Sequence, residues 1–239
     1  MNGILYGIGL QLKLDIRSKT MLITCYMVPL LFYLLMGGIF TSLMPQMRES
    51  IVQSMTVMGI SMGAFIGLPQ SVTEVYGGDM KKVYQANGAP VYFGLVSMAV
   101  SSFIHLYAMS LIIYISSPFI FESFVPYKPD LYFLSLAIFL AVSVTVGCVL
   151  GLLVKNQSKL TMISQIVFLP SIMLSGIMFS SDLLPYALKI IGKFFPASWG
   201  YNLMLNSGFS IKNLIPLLII FLLAAIAISI MLKLKKRDI

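Results

Sequence analysis

Few side chains in this 239-residue sequence are equipped for catalysis or ion transfer. A proton relay, a metal centre or a catalytic pair in an apolar chain needs ionisable groups inside its apolar runs, where burial is costly unless they are used. Within those runs only His105 qualifies. With Ser101, Ser102 and Tyr107 near it, it reads as a neutral imidazole bonded to a neighbouring helix rather than a relay or ligand. There is no HExxH and no second histidine to share a metal, so no metal is expected. A hydrolase needs a nucleophile beside its base, and no serine here has one. Cys25 and Cys148 fall far apart inside apolar runs without a CxxC, which makes them buried small hydrophobes rather than a disulfide. A phosphate-cradling GxxxxGK[ST] is missing too, since Gly192-Lys193 lacks both the upstream glycine and the following hydroxyl. The chain is expected not to be an enzyme and to hold no cofactor of its own.

Composition explains why the chemistry is so sparse. The sequence is 59% hydrophobic and 10% charged with a mean hydropathy of +0.95, far from the about 25% charge of a soluble domain. That is a polytopic membrane protein. Its formal charge of +8 sits in short clusters at the ends of apolar runs, which argues topology and not nucleic acid.

Spans are expected at about 21–43, 51–73, 91–116, 131–154, 160–179 and 213–232, each near the twenty residues that a bilayer demands. The first run is too long for a signal-peptide core and lacks a cleavage pattern after it. Ahead of it, Leu5, Ile8, Leu12 and Ile16 share one helical face, with Asp15 and Lys19 at its edge, which predicts an interfacial helix. Six spans leave both termini on one side. Eleven basic residues fall on that side and five on the other, so both termini are expected to be cytoplasmic. No connection is long enough for a separate core, and the fold expected is one all-α domain over residues 1–239.

The stretch from Leu169 to Met204 interrupts this plan. On a helix over 183–195, Leu184, Leu188, Ile191 and Phe195 share one face while Lys189 and Lys193 stand opposite. Thirteen residues reach only about 20 Å, too short to span. This outer helix either rests in the interface or dips in and returns, the latter only if protein or water covers the non-helical backbone at Pro185, Pro196 and the Ser198–Gly200 turn. Trp199 and Tyr201 would mark the headgroup level.

Two further features concern packing and partners. Gly59, Gly63 and Gly67 form a row in the second span, and Gly147 with Gly151 a shorter one in the fourth; such rows let helices approach closely, within the subunit or at a dimer seam. The second cytoplasmic connection, Glu74 to Pro90, is charged, long enough for two to three helical turns, and ended by Asn87-Gly88. It is either a solvated turn or a docking segment for a partner, with Lys155 to Lys159 able to assist.

Taken together, these features resemble the membrane permease of an ABC transporter of the type 2 export family. The resemblance rests on the six-span plan without an ATP site and on a fifth-span pattern close to F-L-P-S-x-x-L-S-G-x-x-F. Phe168, Leu169, Pro170, Ser171, Leu174, Ser175, Gly176 and Phe179 stand at those places, followed by Pro185, a short helix and Pro196. The resemblance implies a dimer with a second or homologous permease copy, seated on a separate ATP-binding cassette subunit that carries ATP-Mg. It implies that Glu74, Gly78, Asp79, Lys81, Lys82 and Tyr84 belong to the ATPase-coupling loop. Cargo would be a drug, peptide antibiotic, lipid or polysaccharide, and the location a bacterial plasma membrane. A passive channel or ion-coupled carrier is the alternative, which a polar ring or buried carboxylates would support.

Overall fold

A strand crossing hydrocarbon leaves open edges, whereas a helix satisfies its own backbone, and every regular element among the described residues is helical. The structure, a computed structural model, describes residues 2–78, 90–178, 183–205 and 209–237. In chain order these form α1 (Asn2–Arg17), α2 (Lys19–Leu43), α3 (Ile51–Gly77), α4 (Tyr92–Phe121), α5 (Pro129–Leu153), α6 (Gln157–Met173), α7 (Tyr186–Gly192), α8 (Pro196–Met204) and α9 (Ile211–Arg237). Among the described residues, five helices are long and apolar enough to cross a membrane: α2, α3, α4, α5 and α9.

α3 is the central post. In its spanning window 94% of the residues are buried, against 22% for α2 and 11% for α9, so those two helices form the perimeter. α3 and α2 each contain a π-helical turn, Gly63–Gly67 and Ile23–Met27. Each turn precedes a proline, Pro69 or Pro29, whose ring would otherwise clash with the carbonyl four residues back.

Small residues fix the register. α5 runs parallel to α3: Gly147 lies against the Ala64 carbonyl, Gly151 against Val72 and the Pro69 carbonyl, and Gly77 against Lys155. α4 runs antiparallel, with Leu106 and Met109 seated on Gly63 and Gly59. Gly67 takes Thr24 of α2. The two glycine rows therefore differ in use: that of α3 receives side chains, whereas that of α5 also meets the Ala64 and Pro69 carbonyls.

One expectation changes here. The expected fifth span over 160–179 ends as helix at Met173, giving α6 seventeen residues, or about 25 Å. Gly176 at φ 85° turns the chain away, a left-handed backbone that disfavours a Cβ. On α1, expected as an interfacial helix, Leu5 is 65% and Ile16 56% exposed. Gly7 packs on Phe93 and the buried Asp15 accepts a hydrogen bond from Ser101, so α1 lies along α4 at a constant offset. Asp15 is anchored also by Gln11 at 2.8 Å.

A Cβ on Gly151 would sit 2.6 Å from Val72 Cβ and 2.8 Å from the Pro69 oxygen, which is backbone and cannot yield cheaply. Gly151→Leu should therefore destabilise the protein by about 1–3 kcal/mol. Gly9→Ala, with nothing within 4 Å, should not. Thermal unfolding in detergent, followed by size exclusion, checks the pair.

Candidate functional site

The interruption after α6 is built by local hydrogen bonds. Pro170 stands inside the last turn of α6, where its carbonyl accepts from Leu174 N–H at 2.9 Å. The buried Ser175 donates to the Ile172 carbonyl at 2.8 Å and accepts from Ile177 N–H at 3.4 Å, closing the turn that Gly176 permits. Ser171 is buried beside it, and Phe179 lies outside the described residues. The sequence pattern read as part of a span is thus the device that ends one.

Beyond it, the helix expected over 183–195 is shorter, Tyr186–Gly192, and a second helix follows it. Pro185 precedes α7, which stops at Gly192; Pro196 opens α8 at a first-turn position where a missing N–H costs nothing. Ser198 to Gly200, expected as a turn, are helical. Ser198 donates to the Gly192 carbonyl at 2.6 Å and the Trp199 indole N–H to the Lys193 carbonyl at 2.7 Å, so α8 holds the turn that precedes it. Trp199 is half-buried and carries that bond, and Tyr201 is buried.

The contact of α7 with the rest of the protein is set at one point. Leu188 and Ile191 are 38% and 44% exposed, Lys189 is half-buried, and the docking point is Gly192 against the backbone of Leu174. Close approach at a glycine has decided which side of this short helix faces the protein. α8 then runs antiparallel to α5: Gly200 packs on Phe139, and Ser135 donates to the Leu203 carbonyl at 3.2 Å. Phe139 is ten residues into α5, about 15 Å along it, so α8 lies lengthwise beside a spanning helix. Lys193 is exposed as expected, yet it lines a groove with Val146 and Val149, deep along α5 rather than at its Pro129 end.

At the other end of the bundle, the flanks of the 79–89 connection are clamped. The buried Tyr76 hydroxyl donates to the Val91 carbonyl and accepts from Leu95 N–H at 2.9 Å, tying α3 to the start of α4. Thr73 donates to the carbonyls of Gly151 and Val154 at 2.9 and 3.3 Å, tying α3 to the end of α5. Glu74 is exposed and Gly78 is extended on the rim of this platform, with Lys155 beside Gly77. Asp79, Lys81, Lys82 and Tyr84 lie outside the described residues. Tyr76 and Thr73 were not singled out from the sequence; their position on the buried face, three residues apart before a charged connection, is the signal that was there to find.

His105 shares a hydrogen bond with Tyr26 of α2 through Nδ1 at 2.8 Å, the interhelical bond expected of it. From outside the apolar runs, α1 brings the buried Asp15 to Ser101, one turn away along α4. Cys25 and Cys148 are buried free thiols. Among the described residues no group of three His, Cys, Asp or Glu side chains is placed to hold a metal ion.

A family model described as ABC-2 type transporter matches residues 9–209. No curated protein and no solved structure matches the chain.

Removing the Tyr76 hydroxyl deletes one donated and one accepted bond on the α4 side. Tyr76→Phe should speed amide exchange at residues 91–95 about tenfold, the effect of losing about 1–1.5 kcal/mol of local protection, with the protein still assembled. Hydrogen–deuterium exchange with mass spectrometry measures it.

Proposed function

This chain belongs to the ABC-2 type transporter family, and on that premise we propose that it is the permease half of an ATP-driven exporter, working as a dimer on a separate ATP-binding subunit. Membership makes it a multi-pass membrane transport protein. In the proposed cycle ATP-Mg stays on the partner, and this chain contributes the membrane pathway and no hydrolytic group.

The observation that carries the reading is the clamped platform formed by Tyr76, Thr73 and Lys155 around the ends of the charged connection. A rigid joint between α3, α4 and α5 is what closure of an ATPase would have to push against, because α3 is buried along its length and cannot move without its neighbours. Glu74, Gly78, Asp79, Lys81, Lys82 and Tyr84 are the proposed coupling residues, with Lys155 to Lys159 beside them.

In this reading α6 and the returning α7–α8 pair together complete the fifth of six crossings. α8 lying lengthwise on α5 supports a segment that enters the membrane and returns. Both termini are proposed to face the cytoplasm of a bacterial cell. The scarcity of buried charge suits an amphipathic or hydrophobic cargo. The buried Asp15 beside Ser101, a turn from His105, is what favours the competing ion-coupled carrier.

Two measurements test this. Impermeant thiol labelling in intact cells should modify Lys128→Cys and leave Asn2→Cys and Asp238→Cys unmodified; labelling at either terminus reverses the topology. Purified alone, the chain should neither bind nor hydrolyse ATP, while the complex with its ATPase should lose stimulated hydrolysis when Lys81 and Lys82 are both changed to Glu. Undiminished coupling moves the docking site to Lys155–Lys159, and nucleotide-independent transport by the lone chain in liposomes overturns the exporter reading.

A further inference from the structure

We propose that the groove between α5 and α9 binds one anionic lipid of the surrounding bilayer, its charged head on Lys193 and a hydrocarbon chain along the two helices. The groove has a volume of about 480 Å³ and is walled by Val146 and Val149 of α5, Ile219 and Leu223 of α9, and Phe194. Lys193 is the ionisable residue of this lining among the described residues.

The lysine is built into its place. Its carbonyl accepts the Trp199 indole N–H, the preceding Gly192 carbonyl accepts the Ser198 hydroxyl, and Gly192 itself is pressed against Leu174. An ammonium group held against an apolar wall within a membrane bundle is expensive unless an anion or water meets it. Among the described residues, the ion pair formed is that of Arg48 with Glu122, and no carboxylate reaches Lys193. Among the described residues none supplies its counter-charge.

The surroundings offer one. The groove opens on the perimeter helix α9, whose Leu218 and Leu222 are 46% and 59% exposed, so what lies against it is bilayer lipid. The groove reaches from Pro216, about 8 Å from the start of α9 at Ile211, to Val149, about 6 Å from the end of α5 at Leu153, so each end lies near a helix boundary. A lysine side chain extends its ammonium to such a boundary while its stem stays on apolar surface. A lipid phosphate at that level meets the charge, and its acyl chain then runs along Ile219 and Leu223. This site is distinct from the coupling platform and needs no nucleotide or cargo.

The sequence holds a single tryptophan, Trp199, and it is bonded to the lysine in question, so its fluorescence reports this groove alone. The full chain is reconstituted in vesicles carrying brominated acyl chains on either phosphatidylglycerol or phosphatidylcholine, and quenching of Trp199 is compared. The expected result is a preference of about fivefold for the anionic lipid, from one cation at the membrane boundary. It should persist in Lys193→Arg and in Lys189→Gln, which controls for net charge, and vanish in Lys193→Gln. An unchanged emission maximum in Lys193→Gln establishes that the turn still folds. Equal quenching by both lipids in the natural sequence, or a preference that survives Lys193→Gln, overturns the proposal. Either result leaves the exporter reading standing, since the measurement involves no transport.

Discussion

Hydrocarbon offers no partner to a backbone N–H or carbonyl, so a chain that stops being helical inside a membrane bundle must be met by other protein groups. Much of this structure follows from one such break among the described residues, the Ser175–Gly176 turn after α6. Ser175 closes the turn, and Ser198 and Trp199 satisfy carbonyls of the next one. Gly192 and Gly200 let α7 and α8 approach Leu174 and Phe139 without a Cβ in the way. The returning pair is thereby fastened along α5, and Lys193 is carried with it to a depth that no linear reading of the chain suggests.

The rest of the bundle is organised around α3, and the two ends of that helix are secured differently. At the Gly77 end, buried hydroxyls of Thr73 and Tyr76 bond backbone groups of α5 and α4. Near the Ile51 end, the ion pair of Arg48 with Glu122 has side chains 40% and 79% exposed and contributes little in water. Phe124 N–H adds a bond to the Arg48 carbonyl at 3.1 Å, and Thr56 meets the Tyr132 hydroxyl at 3.0 Å one turn further in.

Asp15 shows how a short polar contact can set the docked side of an apolar helix. Helical periodicity placed Leu5, Ile8, Leu12 and Ile16 together, the face that an interfacial helix turns to lipid. In the structure Gly7, Gln11 and Asp15 form the docked side, because a carboxylate accepting from both Gln11 and Ser101 is satisfied there, and Gly7 makes room for Phe93. The stripe is left facing outward, where lipid serves apolar side chains as well as protein does.

The sequence by itself determined the class of the protein, its long apolar helices and the family to which it belongs, because these depend on run length, composition and motif, all of them local properties of the chain. Its helix boundaries for α2 to α5 and α9 were legible to within a few residues at most ends, since the hydrocarbon thickness sets a length that any sufficient apolar run meets. The small-residue rows and the interhelical bond of His105 were legible for the same reason: few residue types do those jobs in a membrane. Tertiary structure alone decided which faces dock. For α1, α7 and α8 the exposed surroundings are as apolar as the core, so hydrophobic periodicity loses its power to orient a helix, and close approach at Gly7, Gly192 and Gly200 with hydrogen bonds from Asp15, Ser198 and Trp199 takes over.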